Sequence, residues 1–191
     1  MPIPPFNGNL VLPSHKGRPT NPSEMSPYPI NTVELCQHFS TSKERVDILR
    51  GFMTMRDLMS QNGITEGFQW LNGSFMQAIE QSESRPPKDM DAVTFFASAN
   101  PDLASNLQAS FPAFFDSREM KRLHKVDHYA VDLNLHPAKL VEFTRYWFGL
   151  FSHTRSDVWK GMLRVELNTP YEDSQANGIL SAWVPALGEE S

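Results

Sequence analysis

Two carboxylates separated by one residue are the pattern in this chain with the clearest chemistry. Asp89 and Asp91 flank Met90, and the apolar stretch Ala92–Ala97 follows directly. Residues i and i+2 of a β-strand point to the same face, so the two carboxylates converge at the start of a strand built to be buried. Two like charges side by side repel each other unless a cation lies between them. A hard divalent ion completed by phosphate oxygens suits such a pair, which indicates nucleotide chemistry.

A Gly-Ser step precedes the carboxylate pair and follows a short apolar segment. Gly73 permits a tight turn and a close approach of backbone to ligand. Ser74 and the amides that open the following helix can bind a phosphate, assisted by the helix dipole. We expect Gly73 and Ser74 to contact a triphosphate whose metal ions are held by Asp89 and Asp91. A third carboxylate on a neighbouring strand would complete the metal site and assist deprotonation of an attacking hydroxyl.

Two aspartates are candidates for that third carboxylate. Asp127 and Asp132 both lie on a strand expected at Val126–Leu133. Their positions differ by an odd number, so they point to opposite faces of a regular strand and only one can face the site. We favour Asp127, because it comes earlier on a strand that continues apolar, and keep Asp132 as the alternative.

The elements that must position these residues alternate between helices and strands. Hydrophobic periodicity and capping signals predict strands near 67–71, 89–97, 126–133 and 159–167, and helices near 31–39, 41–61, 75–81, from 100, 117–124 and 136–151. This alternation implies a sheet covered by helices on at least one face.

The first thirty residues differ in composition from the rest. Residues 1–30 hold 8 of the 15 prolines, so we expect an extended arm without regular elements. The arm either packs on the domain or mediates contacts between subunits or with a partner protein. A single domain is expected at 31–180, followed by a C-terminal tail at 181–191.

Composition narrows the class of protein. A net charge of −5 and a pI near 5.7 disfavour a protein that binds nucleic-acid backbones unspecifically. We find no apolar run long enough for a membrane span and no secretory signal in the first residues. The single cysteine, Cys36, excludes an intrachain disulfide and is typical of a reducing compartment. We expect a cytoplasmic protein without membrane contact.

The segment Leu71–Phe75 together with Lys88–Val93 resembles the nucleotidyltransferase superfamily, the polymerase-β-like fold. The shared pattern is Gly-Ser, a spacer, and Asp-x-Asp on the next strand. The nearest likeness is to small single-domain bacterial and phage members, some of which serve in toxin–antitoxin pairs or phage defence. The resemblance implies an α+β fold with a mixed sheet flanked by helices. It also implies transfer of NMP from an NTP to a hydroxyl of a protein, RNA or small molecule, with Mg²⁺ or Mn²⁺ as cofactor.

The match departs from the family pattern around the spacer. The spacer is long and contains Pro86-Pro87, and Lys88 stands where a serine is frequent. Lys88 is expected either to bind phosphate or to pair with the carboxylates in place of a metal. The second outcome motivates an alternative function, a catalytically vestigial module that binds nucleotides or a partner protein.

Overall fold

The protein, in a computed structural model that describes residues 3–185, is built around one mixed β-sheet. Its strands are β1 (Tyr28–Ile30), β2 (Glu66–Asn72), β3 (Met90–Ala97), β4 (Val126–Asp132) and β5 (Leu163–Glu166). They lie in the order β1-β5-β2-β3-β4. β2 is antiparallel to both neighbours, whereas β3 pairs with β4 and β1 pairs with β5 in parallel. The expected α+β class with a mixed sheet flanked by helices is confirmed.

Seven α-helices accompany the sheet in the part of the chain that the structure describes. They are α1 (Thr32–Phe39), α2 (Lys43–Gln61), α3 (Ile79–Glu83), α4 (Leu103–Ser110), α5 (Ser117–His124), α6 (Pro137–Phe151) and α7 (Pro170–Ala182). The cap expected at Asn31 is present, because its side chain accepts from the Glu34 amide while the Glu34 carboxylate accepts from the Asn31 amide. None of the helices in residues 3–185 is long and apolar enough to cross a membrane.

Alternating side chains of the strands contribute to two separate apolar clusters. On β3, Ala92 and Phe96 belong to a large cluster that also contains residues of α1, α2, α5 and α7. Val93 and Phe95, on the opposite face, pack with Trp147 of α6 in a smaller cluster. Helices therefore cover both faces of the sheet, and residues of odd number on β3 face the α6 side.

The Pro-rich segment is more regular than its composition suggested. Pro22–Glu24 forms a 3₁₀ helix, and β1 adds Tyr28–Ile30 to the sheet beside β5, although we expected no regular element before Asn31. Pro29 is tolerated because β1 is an edge strand, where a missing N–H costs no ladder hydrogen bond. Val11 and Leu12 are buried, so this segment packs on the domain.

Two further elements differ from the sequence expectations. The helix expected at 75–81 is divided into a 3₁₀ helix, Ser74–Met76, and the short α3. Helix α7 was not expected, because Pro170–Ala182 is polar and contains glycine. It is held by tertiary contacts, among them the hydrogen bond from Thr32 to Asp173. Of the tail expected at 181–191, residues 186–191 lie outside the described residues.

Candidate functional site

The Gly-Ser turn begins where β2 ends. Asn72 is buried, and its side-chain oxygen accepts a 2.7 Å hydrogen bond from the Gly73 amide while its side-chain nitrogen donates to the Phe151 carbonyl at the end of α6. Gly73 has φ +88°, a backbone conformation that glycine adopts without strain. Ser74 then starts the 3₁₀ helix. The turn is thus anchored from both the sheet and α6.

Asp91 lies directly against this turn. It is the register partner of Asn72 in the β2–β3 pair. A Cβ atom added to Gly73 would lie 2.9 Å from Oδ2 of Asp91 and 3.2 Å from its backbone nitrogen. Only a residue without a side chain leaves the carboxylate this position. The structure therefore joins the Gly-Ser turn and the second aspartate of the Asp-x-Asp pattern in one site.

Asp127 joins the site from the neighbouring strand. It is the register partner of Asp91 in the parallel β3–β4 pair. Asp127 also has the same parity as Val131, which packs in the α6-side cluster with Val93. Asp91 and Asp127 therefore lie side by side on the same face of the sheet.

The pKa of Asp91 reports the electrostatic state of this cluster. Burial, the largest cause, and the nearby negative charges of Asp89 and Asp127 together raise this pKa from 3.8 to about 6, against the attraction of Lys160 and Lys121. A carboxylate held among other carboxylates is stabilised by an additional positive charge. The cluster has the electrostatics of a cation site.

Lys121 of α5 provides a cation at this site. Its Nζ lies 2.5 Å from Oδ2 of Asp89 and 3.3 Å from Oδ2 of Asp127, and the hydrogen bond to Asp89 is the main cause of the raised pKa of Lys121. The ammonium stands in chemically for a cation shared by two carboxylates. In residues 3–185 no group of three His, Cys, Asp or Glu side chains is placed to hold a metal ion. Carboxylate oxygens are the kind of donor that Mg²⁺ and Mn²⁺ prefer, and here the ammonium group of Lys121 lies between two of these carboxylates.

A second lysine approaches the turn from the segment before β5. Lys160 is 5% exposed, and its Nζ donates to the Gly73 carbonyl over 3.4 Å. Burial lowers its pKa from 10.5 to about 8, which the negative charge of Asp91 partly counteracts. An ammonium group has three N–H donors, so this long hydrogen bond leaves donor capacity beside the turn.

The N-terminal segment packs against the backbone that follows the Gly73 turn and the backbone that follows Lys160. Leu10 accepts a hydrogen bond from the Ala78 amide, and Leu12 accepts one from the Gly161 amide. A Cβ atom on Gly161 would lie 2.3 Å from the Pro13 carbonyl oxygen, so glycine is required for this close approach. Residues 10–13 therefore hold the backbone that follows Lys160, at Gly161, and the backbone that follows Ser74, at Ala78.

The structure separates the two candidates for the third carboxylate. Asp132 is opposite Phe96 at the far end of β4, five residues from Asp127, and its carboxylate accepts from the Asn134 amide over 2.8 Å. Five residues of strand span roughly 16 Å, so Asp132 lies outside the cluster. The two aspartates thus lie at opposite ends of β4, and the role of Asp127 as the third carboxylate stays a prediction.

Lys88 does not pair with the carboxylates, which is one of the two roles expected for it, and the other role, phosphate binding, stays a prediction. Its side chain is exposed, and among the described residues it forms no ion pair with the carboxylates. Lys121 pairs with them instead, because α5 runs directly into β4 and its last turn passes beside Asp89. The sequence signal for Lys121 is a basic cluster that consists of Arg118, Lys121, Arg122 and Lys125. Sequence reasoning did not assign Lys160, and no local pattern distinguishes it.

Fold and site together define an α+β protein with an acidic cluster and a glycine turn at one end of a mixed sheet. A family model described as "Family of unknown function (DUF6932)" matches residues 4–166, and the chain belongs to that family. No curated protein and no solved structure matches the chain.

Proposed function

We propose that this protein is a nucleotidyltransferase of the polymerase-β-like superfamily, dependent on Mg²⁺ or Mn²⁺, which transfers NMP from an NTP to a hydroxyl group. One observation carries the proposal: Gly73 contacts Asp91, and Asp91 is the register partner of Asp127. The sheet pairing thus brings together a turn suited to phosphate and carboxylates suited to metal, from segments far apart in the chain.

Each residue of the site has a chemical task in this reaction. The glycine turn and Ser74 seat the triphosphate, and Lys160 neutralises phosphate charge from the buried side of the turn. Asp89, Asp91 and Asp127 would hold the divalent cation, which when bound neutralises the charge that develops on the phosphates. Placement of the α-phosphorus against the acceptor provides much of the rate.

The bond changes balance without a further reactant. The acceptor oxygen bonds to the α-phosphorus, the anhydride bond between the α- and β-phosphates breaks, and pyrophosphate leaves with the electron pair of that bond. Asp127 accepts the proton of the acceptor hydroxyl, since it sits on the edge strand β4 and its side chain is 26% exposed. The proton then passes to solvent.

Transfer of labelled nucleotide tests the proposal. The protein is incubated with each α-labelled NTP, Mg²⁺ or Mn²⁺, and protein, RNA and small-molecule acceptors. Metal-dependent labelling of an acceptor is expected, with loss in Asp91→Ala and Asp127→Ala. Asp132→Ala is the matched control on the same strand and retains transfer. Labelling that is indifferent to replacing both Asp89 and Asp91 overturns the proposal.

The ion pairs of Lys121 favour a second candidate, a vestigial nucleotidyltransferase-like module that binds nucleotide or a partner protein without turnover. If this second candidate is right, Lys121 permanently takes the place of a metal ion at Asp89 and Asp127. Calorimetry with NTP and Mg²⁺ distinguishes the two candidates. Binding without nucleotide transfer supports the module, whereas metal-dependent transfer excludes it.

A further inference from the structure

The geometry points to Lys121 as a displaceable occupant of the metal position, so that a divalent cation binds well only together with a nucleoside triphosphate. This inference rests on the proposed function, because it takes Asp89 and Asp127 as metal ligands. Beyond the proposed function, Lys121 then controls whether the metal ion can bind. The binding of metal and the binding of nucleotide also depend on each other.

The position of the ammonium group is the first argument. Nζ of Lys121 is within 2.5 Å of Asp89 and 3.3 Å of Asp127, so it occupies space that a metal bridging these carboxylates needs. A cation and the ammonium group cannot hold this position together, because both are positive and both require the same oxygens. Metal binding at these two carboxylates therefore requires Lys121 to leave.

The exposure of Lys121 is the second argument. Its side chain is 46% exposed, whereas those of Asp89 and Asp127 are 17% and 26% exposed. The lysine reaches the cluster from the solvent side on four flexible methylene groups, and can withdraw without rearranging the core. Lys160 differs in this respect, because it is buried beside Gly73 and stays in place.

The charge balance of the cluster is the third argument. Lys121 and Lys160 are the two lysines whose charges act on Asp91 within residues 3–185, so Lys160 is left when Lys121 withdraws from Asp89 and Asp127. A metal ion that binds without nucleotide neutralises the negative charge of the carboxylates. It leaves the ammonium group of Lys121 without a negative partner. A metal ion bound to a triphosphate brings anionic oxygens that the released ammonium group can contact. Nucleotide thus compensates the loss of both ion pairs, and by linkage each ligand strengthens the binding of the other.

Titration of Mn²⁺ in the absence of nucleotide tests the inference, with free Mn²⁺ measured by electron paramagnetic resonance. Wild type is expected to bind Mn²⁺ weakly, and Lys121→Met to bind it at least about tenfold more tightly. Lys121→Arg keeps the positive charge and is expected to bind as weakly as wild type. Adding Asp127→Asn to Lys121→Met removes the gain.

Arg122→Met is the matched control for net charge. It removes one positive charge from the same helix, but Arg122 pairs with Glu119 and not with the cluster. Its Mn²⁺ affinity is expected to stay close to that of wild type, since exposed charges are screened by salt. The inference is overturned if Lys121→Met binds Mn²⁺ no more tightly than Arg122→Met does.

Wild-type protein provides an independent measurement if Lys121→Met fails to fold. Acylation of lysines is followed by mass spectrometry, with Lys125 of the same region as internal reference. Reactivity of Lys121 is expected to rise when Mn²⁺ is added without nucleotide at a concentration high enough to occupy the site, because its ion pairs with Asp89 and Asp127 are broken and no phosphate replaces them. Unchanged reactivity overturns the inference.

These measurements fail separately from the proposed function. The Mn²⁺ titration involves neither NTP nor transfer. If no nucleotide is transferred and Lys121→Met still gains affinity, the proposed reaction is refuted and the lysine's role stands. If nucleotide is transferred and the affinity does not change, displacement of Lys121 is refuted and the reaction stands.

Discussion

The backbone of Gly73 and the carboxylate of Asp91 occupy adjoining positions with no room for a methyl group between them. A Cβ atom at position 73 would lie 2.9 Å from Oδ2 of Asp91. The turn that follows β2 and the start of β3 are therefore matched to each other residue by residue. A substitution at Gly73 is therefore expected to displace the Asp91 carboxylate.

Gly73→Ala is expected to lower stability by about 1–3 kcal/mol and to weaken nucleotide binding, because φ is +88° and the new methyl group meets Asp91. Urea unfolding and NTP calorimetry measure the two effects. Gly149→Ala is the control, since no atom lies within 4 Å of a Cβ there and the residue is inside α6. It is expected to stabilise by up to about 1 kcal/mol. Equal effects of the two substitutions would contradict this prediction.

Asp91→Asn is expected to abolish transfer and to stabilise the fold at pH 7. The folded pKa of Asp91, about 6, lies above its ordinary value of 3.8, so wild-type stability is lost as the pH rises from 3.8 to 6. Asparagine cannot ionise, so the variant is expected to gain up to about 3 kcal/mol in the free energy of unfolding at pH 7 relative to wild type. Urea unfolding at pH 4 and pH 7 measures the change, which is expected to be larger at pH 7. A variant less stable than wild type at pH 7 would show that the carboxylate is needed for folding.

Lys160→Met is expected to weaken NTP binding while it raises stability at neutral pH. Burial lowers the folded pKa to about 8, so stability is lost as the pH falls from 10.5 to 8 and the loss is complete at pH 7. Methionine carries no charge to bury, so the free energy of unfolding at pH 7 is expected to rise by up to about 3 kcal/mol. Thermal unfolding and NTP calorimetry are the measurements. Unchanged NTP affinity would mean that Lys160 stabilises the Gly73 turn through its hydrogen bond and does not contact the nucleotide.

His128 is expected to make the protein acid-labile. It is 2% exposed, its Nε2 shares a hydrogen bond with Thr94 Oγ1 at 2.9 Å, and burial lowers its pKa from 6.5 to about 4. The unfolded chain binds a proton that the folded chain does not, so stability is lost as the pH falls from 6.5 to 4. His128→Gln is expected to flatten this slope in urea unfolding, whereas His153→Gln, at an exposed histidine, leaves it unchanged. An unaltered slope in His128→Gln would assign acid lability to other groups.

The order of the motif could be read from the chain because it depends on local rules. Strand periodicity placed Asp89 and Asp91 before a buried strand, and capping signals located most helices within a few residues. The two-residue repeat of a strand also places Asp127 and Asp132 on opposite faces of β4. These features follow from the two-residue repeat of a strand and from the unsatisfied amides at a helix start, which each segment carries by itself.

Only the tertiary structure decided which cations meet the carboxylates. Lys88 is next to Asp89 in sequence and exposed, whereas Lys121 reaches Asp89 across 32 residues and Lys160 reaches Gly73 across 87. The pairing of β1 with β5 and the docking of α7 on α1 depend equally on distant partners. The sequence alone thus determined the acidic pattern, its strand and its glycine turn. Long-range strand pairing and helix packing determined the positive charges around it, because the position of a side chain in space depends on partners that no local pattern specifies.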